Sequence, residues 1–196
     1  MKNTMLAGAT VLVAGGSVAS AQNLEVLLEV DLTVPNTVTI TATDGLSAID
    51  ASGSDTTGVY LEGIFGGFAG GPFPSTPIAG ELTSANNPTD GGALIFRDTT
   101  PLDAGLNIFG FTADFPATFT AGEIAFTDFG TWTIDPDDFA DFAGGALSGN
   151  IYFPADDFTD IAGLAPLGLY TVIVPEPTTA GLLGVVSLGL LRRRRA

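Results

Sequence analysis

Cysteine and histidine are absent from this sequence, and lysine occurs once, at Lys2. Without cysteine the chain has no disulfide, so its fold must be held by packing alone. Without histidine as well, Ser-His-Asp and Cys-His nucleophile systems are excluded, together with the usual imidazole and thiolate sites for zinc, copper or haem. The lack of any lysine after Lys2 removes a Ser-Lys pair. No phosphate-cradling loop is present either: Gly66-Gly67-Phe68-Ala69-Gly70-Gly71 is glycine-rich, but no lysine or helix pattern follows, and the run meets Pro72 and Pro74. A glycosidase, the third reading, would need two carboxylates facing each other across a cleft, and among the 21 acids between residues 22 and 173 no pair is singled out. The expectation is a protein that is not an enzyme and holds no cofactor, with Ca²⁺ a metal its hard oxygens suit.

Positive charge is nearly as scarce. Of 6 Lys and Arg against 22 Asp and Glu, Lys2 and Arg192 to Arg195 lie at the two ends. Between residues 22 and 173, Arg97 stands alone against 21 carboxylates, a formal charge of −20. Nucleic acid and anionic lipid headgroups are excluded as partners of this region, because both need a basic patch to neutralise phosphates. Divalent cations, cationic polymers or a salt-rich medium suit it instead.

The two ends carry what the middle lacks. Lys2 precedes an apolar and small-residue stretch from Met5 to Val18, and Ala19-Ser20-Ala21 fits the small-x-small rule for signal-peptidase cleavage before Gln22. Residues 1–21 therefore read as a signal peptide. At the other end, Pro175-Glu176-Pro177 breaks any preceding element, nothing is charged from Thr178 to Leu191, and Arg192, Arg193, Arg194 and Arg195 follow. Arginines stop a segment on the cytoplasmic side of a bilayer, which predicts a transmembrane helix over 178–191 with the main domain outside. Its 14 residues give roughly 21 Å against a hydrocarbon core of ~30 Å, a mismatch that arginine snorkelling and local thinning absorb.

The Pro-Glu-Pro motif, the apolar stretch and the Arg block together resemble the PEP-CTERM sorting signal of exported proteins from Gram-negative bacteria. The same tail is also catalogued as an ice-binding protein C-terminal domain. The resemblance covers Val174 to Ala196 and implies recognition by an exosortase-like processing enzyme, cleavage at or near Pro175 to Pro177, a transient stay in the inner membrane, and an association with extracellular polysaccharide.

Between the signals the hydrophobic period is two. Leu24, Val26, Leu28, Val30 and Leu32 share one face, with Glu25, Glu29 and Asp31 on the other. After a Pro35-Asn36 turn, Thr37, Thr39, Thr41 and Thr43 alternate with Val38, Ile40 and Ala42. Further short β-rich runs span 59–65, 93–97, 106–111, 117–120, 123–127, 130–134, 151–153 and 170–174, whereas 66–92 reads as a long irregular surface excursion. Short strands without intervening amphipathic helices predict an all-β antiparallel sandwich or jelly-roll-like single domain over 22–173. One helix is expected, opening on the cap Asp135 with Pro136 at its first position and ending at Gly144.

Three candidate sites emerge. Asp135, Asp137, Asp138 and Asp141, with Asp156, Asp157 and Asp160, offer hard oxygens of the kind Ca²⁺ takes, although their spacing matches no EF-hand; the alternative is helix capping, with Phe139, Phe142 and Phe158 turned inward. The threonine row 37–43 can order water or contact ice or polysaccharide, the alternative being ordinary exposed β-branched residues. Trp132, Tyr60, Tyr152 and Tyr170 can stack on sugars, although Trp132 sits in a strand pattern that suits a core role. The resulting expectation is an exported structural or matrix protein of the cell envelope or exterior. The alternative is a carbohydrate- or Ca²⁺-binding module of a biofilm matrix.

Overall fold

Strict alternation sets the first two strands, and the computed structural model, which describes residues 23–67, 71–86, 92–97, 103–112 and 116–175, pairs them as a hairpin. Strand β1 (Val26–Asp31) and strand β2 (Thr37–Ala42) turn at Pro35-Asn36, where Asn36 takes a φ of 58°. Leu28, Val30, Val38 and Ile40 are buried while Glu29 and Thr41 are exposed, as the period requires. An irregularity in the register between Val26 and Leu28 turns Leu27 inward too.

The remaining elements follow in chain order: β3 (Ala51–Gly53), β4 (Val59–Leu61), β5 (Phe73–Ser75), β6 (Ala79–Gly80), β7 (Thr83–Ser84), β8 (Leu94–Arg97), β9 (Leu106–Phe109), β10 (Ala117–Phe119), β11 (Phe126–Thr127), β12 (Phe129–Thr133), α1 (Pro136–Ala143), β13 (Ser148–Tyr152) and β14 (Gly168–Ile173). The fold is all-β with a single helix among the described residues. Ten strands make one sheet in the order β5-β8-β9-β4-β13-β14-β1-β2-β12-β6, and the pairs β10-β3 and β11-β7 stand apart. Every neighbour in the large sheet is antiparallel except β14 and β1, which run parallel. The first and last described strands are thus side by side, with Val26 opening β1 beside Leu169 and Ile173 closing β14 beside Asp31.

The stretch expected to be irregular supplies both edges of this sheet. β5 and β6 lie at opposite ends of the strand order, yet residues 76–78 alone separate them. Four Cα steps reach at most about 14 Å, whereas ten strands laid flat would span about 43 Å. The sheet must therefore curl until its edges meet. Ile78 N–H donates to Thr131 O at 2.7 Å and Ser75 Oγ lies 3.5 Å from Thr133 O, tying the closing segment to β12. Pro72, Pro74 and Pro77 fit here because a proline without an N–H is tolerated on an edge strand and blunts it against further pairing.

Curling encloses one core. Phe111 sits 6.1 Å from Phe119 and from Phe126 and 6.2 Å from Phe153, ring centre to ring centre, joining the small pairs to the large sheet. Trp132 is fully buried and folds back over Gly130, where a Cβ would lie 2.2 Å from the indole ring. Gly130→Ala is accordingly expected to lower stability by about 1–3 kcal/mol through overpacking, read as a lower urea midpoint with an unchanged slope.

Candidate functional site

The helix forms as its sequence dictates. Asp135 Oδ1 accepts from Asp137 N–H at 3.0 Å, Pro136 opens the first turn, and the Gly144 N–H closes the last turn onto Ala140 O at 3.0 Å. Asp138 and Asp141, three residues apart, fall on the inward face beside Phe142. There they meet Arg97 at the end of β8. Its Nη1 lies 2.8 Å from Asp138 Oδ1, and its Nη2 lies 2.8 Å from both Asp141 Oδ2 and Gly67 O. The guanidinium carbon stands 4.2 Å from the centre of the Phe65 ring, and the side chain is fully buried. Burial pushes the Asp138 carboxyl above the usual carboxylate range, and the Arg97 charge pulls against that rise.

This clamp divides the seven aspartates named as metal ligands. Asp135 is a helix cap, Asp137 is exposed, and Asp138 and Asp141 are committed to Arg97. Only Asp156, Asp157 and Asp160 converge, with one carboxylate oxygen from each within 4.8 Å of the others. Asp157 Oδ1 accepts from Thr159 N–H at 2.5 Å and from Thr159 Oγ1 at 2.6 Å, and the hydroxyl bond leads in holding its carboxyl below the usual range. Burial, then the hydrogen bond and charge of Asp160, push Asp156 up to about 6. The trio supplies three of the six to eight oxygens Ca²⁺ takes, and no fourth carboxylate among the described residues joins it. Asp156 and Asp157 also border a cavity of about 220 Å³ lined by Thr56, Phe96, Asn107 and Phe109.

The aromatics named as sugar platforms lie elsewhere. Trp132, Tyr60 and Tyr170 are buried. The Tyr60 hydroxyl donates to Asp103, and Tyr170 OH donates to Glu62 O at 2.6 Å. Tyr152 is half-buried, with its hydroxyl 3.4 Å from Glu62 Oε2 and accepting from Asn150 Nδ2 at 3.2 Å. Period-two placement puts Trp132 in the core, as its strand pattern suggested, and the exposed aromatic of that strand is Phe129.

The threonine row is broader than one strand and shorter at its end. Thr43 turns its hydroxyl to Val26 O at 2.5 Å and leaves the row. Thr37, Thr39 and Thr41 remain, and β12 sets Thr133 opposite Thr37 and Thr131 opposite Thr39. The Thr39 and Thr131 hydroxyls are 3.1 Å apart. The Thr131-x-Thr133 spacing in a recognised strand is the signal that could have found this second column.

Of the sorting residues, Pro175 is exposed two positions after β14 ends. Ala19, Ala21, Glu176, Pro177 and Arg192 to Arg195 lie outside the described residues, as does the expected span 178–191. No helix among the described residues is long and apolar enough to cross a membrane. No family model, no curated protein and no solved structure matches this chain.

Proposed function

We propose that this chain is an exported, non-enzymatic structural protein of the cell envelope or extracellular matrix, delivered by a cleaved signal peptide and a PEP-CTERM-type tail. The observation that carries the reading is the burial of Arg97. It is the one basic residue between 22 and 173, and its side chain is wholly inside, so the domain meets solvent with carboxylates and neutral groups alone. Such a surface keeps copies apart in dilute medium and draws in cations or cationic polymers. It gives a soluble cargo that changes its associations with salt and matrix composition. We read the curled sheet, with the β10-β3 and β11-β7 pairs beside it, as a flattened sandwich- or jelly-roll-like closure around one aromatic core, a compact module that needs no disulfide.

The exit of the chain suits processing. Pro175 is exposed two positions past β14, so a protease-like sorting enzyme acting there would meet chain outside the sheet's hydrogen bonds. Mass spectrometry of the protein recovered from its native host tests this. The expected product begins at Gln22 and ends near Pro175 to Pro177, in the envelope or medium. Intact full-length chain confined to the cytosol would sink the reading.

A further inference from the structure

Strand register lines up one row of outward-facing side chains across five adjacent strands of the large sheet. Ser148 of β13 stands beside Thr171 of β14, then Glu29 of β1, Thr41 of β2 and Phe129 of β12. Their neighbours along the strands, Leu28, Val30, Ile40 and Tyr170, are buried, which fixes the row on the outer face. Ser148, Glu29, Thr41 and Phe129 are exposed and Thr171 is half-buried. Asp31, two residues after Glu29, adds a second carboxylate on the same face.

Adjacent strands are about 4.8 Å apart, so the row runs for about 19 Å measured along the curved outer face of the sheet. That step is close to the advance of one sugar in an extended β-linked polymer. A row of this kind offers hydroxyls that both donate and accept, an aromatic face for the C–H side of a sugar ring, and carboxylates in between. We propose that this face binds an extended β-linked glycan bearing free amino groups, lying across the strands with about one sugar per strand. Charge complementarity selects the amino sugar. An acidic glycan would meet a domain whose surface shows no cation, and a neutral one would leave Glu29 and Asp31 without a counter-charge. The proposal deepens the matrix role and takes only its setting from it: failed export would overturn that role and leave the binding result standing.

Calorimetric titration of the full-length chain at physiological salt tests the site, with the hexamer of β-1,4-linked glucosamine as ligand under mildly acidic conditions that keep its amines charged. The corresponding glucose hexamer and an oligolysine of equal charge serve as comparisons. Saturable binding of the glucosamine hexamer is expected, at least about tenfold tighter than either comparison. Phe129→Ala and Glu29→Gln, both exposed and therefore tolerated by the fold, should each weaken it by about tenfold. Glu123→Gln, in the exposed turn after β10 and outside the row, should leave it unchanged. Oligolysine bound as tightly, or an equal loss in Glu123→Gln, would show undirected attraction to a polyanion and overturn the assignment. Absence of saturable hexamer binding overturns it too, as does a chain that shapes ice growth through its threonines but ignores the hexamer.

Discussion

Replacing Arg97 with methionine is expected to destabilise the domain by about 3–5 kcal/mol, the typical cost of breaking a buried ion pair from one side. The cause is what remains. Asp138 and Asp141 would stay inside, at 7% and 9% side-chain exposure, with no cation to offset their desolvation. Gly67 O would lose its donor, and the Phe65 ring its cation. Against a total stability of about 5–15 kcal/mol for a domain of ordinary size, such a loss leaves little margin. Urea unfolding followed by circular dichroism measures it. Arg97→Lys should recover only part, since an ammonium has no planar fork to span two carboxylates and a carbonyl together. The triple variant Arg97→Met, Asp138→Leu, Asp141→Leu should recover most, because a buried pair exchanged for apolar groups is often neutral or better. A loss under about 1 kcal/mol in the single variant would show that the clamp does not hold the helix to the sheet.

The clamp also shows where sequence reading reaches its limit. Helix α1 was legible to the residue, because Asp135-Pro136 and Gly144 act locally on exposed amides and carbonyls. Strands β1 and β2 were legible with their faces, because a period of two reports which side chains turn inward. Neither signal says which element lies opposite. Arg97 meets Asp138 and Asp141 across 41 and 44 positions, and nothing local to either partner announces the other. The seven aspartates looked alike in sequence, and only tertiary contacts sorted them into a cap, a clamp and a converging trio. β5, β6 and β7 were missed because strands of two or three residues are too short to display a period, and the Pro of β5 and Gly of β6 suit both a loop and a protected edge. The role of β5 and β6 as opposite edges of one sheet follows from closure, a property of the whole chain. The second threonine column was visible as residues and invisible as a neighbour, since the β2–β12 pairing bridges some ninety positions.

Alkaline unfolding should be abrupt and should carry a tyrosine signature. The chain has 3 tyrosines, and residues 22–173 contain no Cys, His or Lys, so between neutrality and pH ~12 phenols are the only side chains of the domain left to ionise. Burial, then the hydrogen bond and charge of Asp103, push Tyr60 well above the ordinary phenol range. Burial, then the charge of Glu62, does the same for Tyr170, and Tyr152 is raised chiefly by burial. The folded state therefore keeps Tyr60 and Tyr170 protonated where the unfolded chain, with phenols near 10, releases their protons. A group held above its unfolded value contributes stability that is complete below pH ~10 and declines as pH rises past it. Each further unit costs about 1.36 kcal/mol per buried tyrosine, so two of them remove about 5 kcal/mol by pH ~12, near the whole stability of a marginal domain. Absorbance at the tyrosinate band should thus stay low, apart from an early share from half-buried Tyr152, and then rise in one step together with loss of the β circular dichroism signal. Tyr170→Phe removes one of the two buried phenols and should move that step to higher pH. Three tyrosines ionising near pH 10 while the β signal persists would mean that Tyr60 and Tyr170 are open to solvent, contrary to the packing of this core.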